Sequence, residues 1–335
     1  MKISVVIPTF NRKRRLLFLL SNLVASYYPI REIIIVDAGT DRLTEEEYAL
    51  STEINIQYLS SIPSVCIQRN IGIRAATSEW IFLCDDDIEV PKDYLQKISE
   101  HIFRHPEAGA ISGLIMQKND SKWVSSYPIH SSFELSLKYI FGLSIWGSID
   151  CSSSNYFIKK IKQYYSAKGN FIAKSGFPVI TDFSGNYFTV PVYGIGASVI
   201  RKKWLEHSPY DEVLDRNGIG DNYGVAMGFI PHGIHIINNA FVYHHHEQAN
   251  RLPQPLQYYR RILSLDYFIR IRKTALHVKK RFLIWSLFGN WLIYSFSRNK
   301  PMAQTAFKTL MQIMRNKNPY IKAALQNIKI TEPVL

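Results

Sequence analysis

Three consecutive aspartates, Asp85, Asp86 and Asp87, stand directly after the unbroken apolar run Trp80–Ile81–Phe82–Leu83–Cys84. Such a run reads as a strand buried on both faces. Three adjoining carboxylates repel one another and resist burial, so positive charge must meet them. A hard divalent cation does this, because Mg²⁺ or Mn²⁺ prefers carboxylate oxygens and shares its shell with a diphosphate. On an extended segment, alternation predicts Asp85 and Asp87 on one side and Asp86 on the other. An Asp triplet alone equally describes a solvated acidic turn. Its place at the carboxyl end of a strand, where open α/β sheets bind ligands, favours a site.

The flanking sequence supplies the rest of that sheet. Ile3–Ser4–Val5–Val6–Ile7–Pro8 is a short apolar strand followed by the polar turn Thr9–Phe10–Asn11–Arg12. A helical pattern follows to about Tyr28, with Leu16, Leu19, Leu20 and Leu23 on one face. Glu32 to Val36 reads as a second strand, ending in the acidic turn Asp37–Ala38–Gly39–Thr40–Asp41. Ile54–Leu59 is a third strand, Cys66–Ala76 a helix, and the fourth strand runs into the aspartates. Alternating strands and helices imply a parallel sheet with right-handed crossovers. Thr9 to Arg12, Asp37 to Asp41 and Asp85 to Asp87 then collect along one sheet edge, which suits a nucleotide diphosphate and its metal.

The blocks SVVIPTFNR, IIIVDAGTD, RNIGIRAATSEWIFLCDDDIEVP, YGIGASVIRK and VYHHHE, in this order, resemble a family 2 inverting glycosyltransferase with the GT-A fold, over roughly residues 1–250. The resemblance implies a Rossmann-like mixed sheet flanked by helices. It also implies a UDP-, dTDP- or GDP-sugar donor, a divalent metal, and direct displacement at the anomeric carbon by an acceptor hydroxyl. It assigns Asp37 to the nucleoside, with Ala38 where relatives often carry a second Asp. Pro8, Thr9, Asn11 and Arg12 join that nucleotide edge, and Arg69 and Asn70 line the pocket. Asp85 and Asp87 take the outer positions of the D-x-D signature, with Asp87 the direct metal ligand. Asp85 is left for the ribose or a water-mediated contact, and Asp86 lies between them.

The second half supplies acceptor chemistry in such a family. Pro191 to Ile200 reads as a Gly-bearing turn entering an apolar segment, whose small residues would admit the donor sugar. The family's acidic pair falls near Gly220–Asp221–Asn222, where Asn222 cannot act as a base. Asp221 is therefore the expected general base, with Asp215 and Asp211 as alternatives. Among His244, His245 and His246, alternation puts His244 and His246 on one side. The resemblance makes His244, then His246, the completing metal ligand. Trp123, Tyr127, His130, Trp146 and Tyr187 could stack on sugars or simply pack.

Charge separates the tail from the rest. The chain carries +13 overall, and residues 251–322 hold 15 Lys plus Arg against one acid, Asp266. With residues 323–335 balanced, residues 1–250 come to −1. The tail contains the apolar, aromatic run Phe282–Phe296, about 22 Å long as a helix and short of a hydrocarbon core of roughly 30 Å. A helix lying on an anionic membrane is the expectation, with packing on the catalytic domain as the competing one. No RRM, helix-turn-helix or zinc-finger pattern points to nucleic acid. Cys66, Cys84 and Cys151 are scattered, and Pro8 and Asn11 interrupt the N-terminal apolar run too early for a secretory leader. The expected location is cytoplasmic, peripheral at the inner face of the cell membrane.

The expected organisation is thus a GT-A domain over residues 1–250, divided into a nucleotide-sugar half (1–115) and an acceptor half (116–250), then a basic helical tail (251–335). The expected activity is hexosyl-type transfer to a glycan or lipid-linked acceptor in surface polysaccharide assembly. The competing functions are a sugar-nucleotide nucleotidyltransferase, disfavoured because Pro8–Thr9–Phe10–Asn11 lacks a Gly-rich phosphate loop, and a noncatalytic membrane-bound scaffold.

Overall fold

A computed structural model describes residues 1–48, 54–229, 232–245, 252–271 and 278–335. Four apolar strands form its parallel half: β1 (Ile3–Thr9), β2 (Glu32–Asp37), β3 (Asn55–Ser60) and β4 (Trp80–Cys84). Their order is β3–β2–β1–β4, all parallel. β1, β2 and β4 are buried at every position, which is why they read as continuous apolar runs. The helix Lys13–Val24 returns from β1 to β2 with Leu16, Leu19, Leu20 and Leu23 buried, so the expected stripe holds although the helix stops short of Tyr28.

Beyond β4 the sheet turns mixed. Ala197–Arg201 lies antiparallel between β4 and Ala110–Asn119, and Ile234–His244 runs parallel to the latter. Burial of Leu16, Leu19, Leu20, Ile33, Ile35, Phe82, Ile98 and Val199 in one cluster anchors the sheet. A buried carboxylate, Glu32, is satisfied by Ser4 Oγ at 2.5 Å, Thr77 N at 2.7 Å and Thr77 Oγ1 at 2.6 Å. The three cysteines are free and buried.

The chain divides into two units. Unit 1 is Met1–Ser125, Gly185–Glu212 and Arg216–Asn250; unit 2 is Ser126–Ser184, Val213–Asp215 and Arg251–Leu335. One boundary falls between Asn250 and Arg251, and another between Ser125 and Ser126, so that residues 126–184 leave the first unit and group with residues 251–335. Residues 126–184 group with the C-terminal helices because their helix ends pack there: Ser286 Oγ donates to Gly142 O at 3.2 Å, and Lys279 N to Lys174 O at 3.0 Å. Unit 2 has its own small core of Ile129, Leu135, Ile145, Ile158, Ile161 and Val179. It also has a three-stranded sheet of Ile145–Trp146, Pro178–Ile180 and Phe171–Ile172. Among the described residues, no helix is long and apolar enough to cross a membrane.

Candidate active site

The expected nucleotide and metal residues and the first-choice base, Asp221, fall in unit 1, whereas Asp215, Tyr127, His130 and Trp146 fall in unit 2. β1 and β2 end in register at Thr9 and Asp37. Gln68, on the helix Val65–Ala75, donates from Nε2 to both Thr9 O and Val36 O at 2.7 Å and so fixes these two ends. The Asp37 carboxylate accepts from Gly39 N at 2.7 Å and from the Tyr58 hydroxyl. Burial and this carboxylate push the Tyr58 phenol above its usual range. Asn11 adopts φ 52° and accepts from Thr40 N at 2.9 Å, bridging the two turns. Tyr58 and Gln68 were not legible as site residues, because each looks like an ordinary strand or helix position until its partner is known.

The aspartate triplet departs from simple alternation. β4 stops at Cys84 and residues 86–87 form a turn, so side-chain direction follows the turn instead of the pleat. Asp86 points back to β1, accepting from Thr9 Oγ1 at 2.8 Å and from Arg12 Nη1 at 2.7 Å. The same Arg12 nitrogen lies 3.2 Å from Asp87 Oδ2. Burial pushes the Asp86 carboxyl up to about 6, against the pull of Arg12. Asp85 turns instead to Arg69.

Arg69 is buried and joins two acidic segments far apart in sequence: Nη2 meets Asp85 and Nη1 meets Asp221. Its guanidinium lies over the Tyr210 ring, 4.9 Å from the centroid. Asp221 begins the short helix Asp221–Ala226, and its other oxygen accepts from Asn222 N at 2.6 Å. Asn70 faces the backbone of Tyr210, donating to its carbonyl at 2.9 Å and accepting from its N–H at 3.0 Å. Asn70 thereby braces the segment leading to Asp221. Gly196 has a role the sequence did not show. A Cβ there would fall 1.9 Å from Asp85 Oδ2, and Asp85 N donates to Gly196 O at 2.8 Å. The glycine makes room for a protein carboxylate. Of the alternative bases, Asp215 lies in unit 2, fully buried, held by Tyr320 OH at 2.8 Å and Arg260 Nη1 at 3.3 Å. Those partners meet both of its carboxylate oxygens. Asp211 stays in unit 1 and half-buried.

His244 ends the strand Ile234–His244, and its Nε2 lies 3.0 Å from Asp87 Oδ1. His245 turns the other way, with Nε2 2.9 Å from Glu89 Oε2 and Trp123 against its ring. His246 lies outside the described residues. Trp123 and Tyr187 already have ring partners, Tyr243 and His235 respectively.

No group of three or more His, Cys, Asp or Glu among the described residues is set to hold a metal. A nucleotide-borne ion needs fewer protein donors, since substrate phosphates and water complete its shell. Asp87 Oδ1 and His244 Nε2 suit that case: their 3.0 Å separation matches neighbouring ligands on an octahedral ion with bonds of about 2.1 Å. The charge agrees as well. Four carboxylates (Asp85, Asp86, Asp87, Asp221) face two guanidiniums (Arg12, Arg69), a deficit that one divalent cation offsets.

The family model for glycosyl transferase family 2 matches residues 4–172, half of the chain. This chain belongs to glycosyltransferase family 2. It is 31% identical over 128 residues to the uncharacterized glycosyltransferase YwdF of Bacillus subtilis, covering 37% of this chain and 47% of that protein. It is 25% identical over 109 residues to an uncharacterized glycosyltransferase of Haemophilus influenzae, covering 32% and 37%. The matches thus span about half of the first relative and little more than a third of the second. Among solved structures, S. aureus TarS 1–349 superposes with a TM-score of 0.52 at 15% identity, covering 98% of this chain and 92% of that one. The complex of the same protein with UDP-GlcNAc gives 0.53 at 14% identity, with the same coverage. The fold of this glycosyltransferase is GT-A.

Proposed function

We propose that this glycosyltransferase moves a sugar, with inversion, from a nucleoside diphosphate sugar to a hydroxyl of a glycan or lipid-linked acceptor in surface polysaccharide assembly. The observation that carries the reading is the convergence of Asp37, Asp85, Asp86, Asp87, Asp221 and His244 with Arg12 and Arg69 at one sheet edge. TarS, whose structure is similar, binds UDP-GlcNAc in one of its crystal structures, which supports a nucleotide-sugar donor here.

The nucleoside is held at Asp37 and Tyr58. Asp87 and His244 hold a divalent cation, Mn²⁺ or Mg²⁺, which when bound neutralises charge gathering on the departing diphosphate. Arg12 must then give up Asp87 while keeping Asp86. Arg69 spans Asp85 and Asp221, so movement of Asp85 on donor binding shifts the guanidinium and frees Asp221. Asp221 next takes the acceptor hydroxyl proton as the anomeric bond forms. Membership of family 2 weighs against nucleotidyl transfer, whose by-product is pyrophosphate.

A panel of UDP-, dTDP- and GDP-sugars, incubated with Mn²⁺ or Mg²⁺, tests this. Release of a nucleoside diphosphate, raised by a glycan or lipid-linked acceptor, is the expected result. Pyrophosphate release, or no sugar nucleotide bound with either ion, would overturn it.

A further inference from the structure

Unit 2 presents an aromatic surface that sugar transfer does not account for. Three helices build it: Ser132–Phe141, Tyr156–Lys168 and Lys280–Phe296. Tyr139 of the first meets Phe157 of the second, ring centroids 6.3 Å apart. Two residues on, Phe141 packs against Trp285 of the third at 5.1 Å. Trp285 stacks on Phe288 at 5.7 Å, and Phe288 continues to Trp291 at 5.6 Å. Trp285 Nε1 also donates to Ile140 O at 2.8 Å. Phe141 is buried between them, whereas Phe157 is 47% and Trp285 45% exposed. Two sets of ordered rings, one on either side of Ser132–Phe141 and each with exposed members, mark an interaction surface.

The helix Lys280–Phe296 packs closely along this surface. At Gly289 a Cβ would lie 2.3 Å from Phe141 Cγ, so the helix is pressed sideways onto Ser132–Phe141. No described helix is apolar and long enough to cross a membrane. Only one side of the helix is therefore on offer.

Charge identifies the occupant. Residues 126–184 hold six Lys against three acids, and residues 251–335 hold 16 Lys plus Arg against two. With Asp215, unit 2 carries +16 of a total of +13, leaving unit 1 at −3. Cations sit over further rings of two of these helices: Lys160 over Tyr156 at 5.4 Å, Lys168 over Tyr164 at 4.9 Å, Arg281 over Phe282 at 5.1 Å. A second copy of the chain would set this charge against itself. A glycan would need carboxylates or amides for its hydroxyls; the helix Lys280–Phe296 has no acid, and its one amide, Asn290, already donates to the Tyr258 hydroxyl at 3.2 Å. Aromatic rings rimmed by Lys and Arg are what an anionic lipid interface accepts: rings at the headgroup level, cations on the phosphates.

We infer that the face of unit 2 formed by these three helices docks on the surface of an anionic bilayer, and that the helices within residues 126–184 share this contact with the C-terminal one. Docking is independent of sugar transfer, so its test needs no turnover. The full chain is floated with phosphatidylcholine vesicles and with vesicles holding about 30 mol % phosphatidylglycerol. Binding to the anionic vesicles alone is expected, with partial release at high salt. Lys159→Glu with Lys160→Glu, both exposed, lowers the partition coefficient by about tenfold or more. Trp285→Ser with Phe157→Ser does the same and removes the residue left at high salt. Lys203→Glu, exposed on unit 1, changes it by less than about twofold, since distant exposed charges are screened. The lysine pair touches no core, so it reads the surface even where the aromatic pair lowers stability. Equal binding to both vesicle types, binding to neither, or an equal loss from Lys203→Glu would overturn the inference. So would self-association in solution that Trp285→Ser with Phe157→Ser abolishes while no vesicle is bound.

Discussion

At the residue scale, the site is a set of shared side chains, so each substitution has a separable signature. Asp87 is shared between Arg12 and His244. Asp87→Ala is expected to abolish Mn²⁺-dependent stabilisation by a nucleoside diphosphate in a thermal melt, with the fold retained. His244→Ala should weaken it less, because water can replace a neutral ligand. Asp221→Asn preserves size and removes basicity. Turnover should fall by about 10²–10⁴ with donor affinity nearly unchanged, the signature of a general base; a matching loss of donor affinity would make Asp221 only a brace for Arg69. Gly196→Ala should destabilise by roughly 1–3 kcal/mol, because the added methyl collides with Asp85. Adding Asp85→Ala should restore part of that stability in a double-mutant cycle on urea midpoints.

At the scale of elements, helix and strand ends meet in a titratable cluster away from the aspartate triplet in sequence. His101, near the end of the helix Tyr94–Arg104, sets Nε2 3.0 Å from Nδ1 of His235 on the strand Ile234–His244. His105 and Tyr187 pack on both rings, and Arg104 and Glu107 complete the charged surroundings. Burial, then the neighbouring His105 and His235, push His101 down to about 4, and burial lowers His235 too. A histidine lowered by folding binds its proton more readily in the unfolded chain. Stability is therefore full above the ordinary histidine range near 6.5 and declines as pH falls from there towards 4. The melting temperature should drop across that window, and His101→Gln should flatten the drop. An unchanged slope in that variant would remove the cluster as its source.

At the scale of the whole molecule, the interleaving of the two units decides what can be cut away. A chain ending near residue 250 keeps all of unit 1 but strips residues 126–184 of the helix carrying Ser286 and Gly289. It also deprives buried Asp215 of Arg260 and Tyr320. Such a chain should aggregate or melt well below the full chain, by light scattering and calorimetry, because apolar surface and a buried charge lose their partners together. A soluble, equally stable truncation would show that residues 126–184 fold without the C-terminal helices.

The sequence by itself determined the elements whose signal is local. Continuous apolar runs marked β1, β2 and β4, the leucine period marked Lys13–Val24, and block order pointed to family 2 and the GT-A fold. It also placed the acidic and basic site residues at the ends of those elements. Only the tertiary structure decided how they are shared: Arg12 between Asp86 and Asp87, Arg69 between Asp85 and Asp221, and Gly196 yielding space to Asp85. It alone showed Asp215 buried in unit 2 against Tyr320 and Arg260, and joined residues 126–184 to the C-terminal helices. The reason is physical. Periodicity and strand burial are set by neighbours within a few residues, whereas a hydrogen bond between Arg69 and Asp221 depends on the path of every element between them.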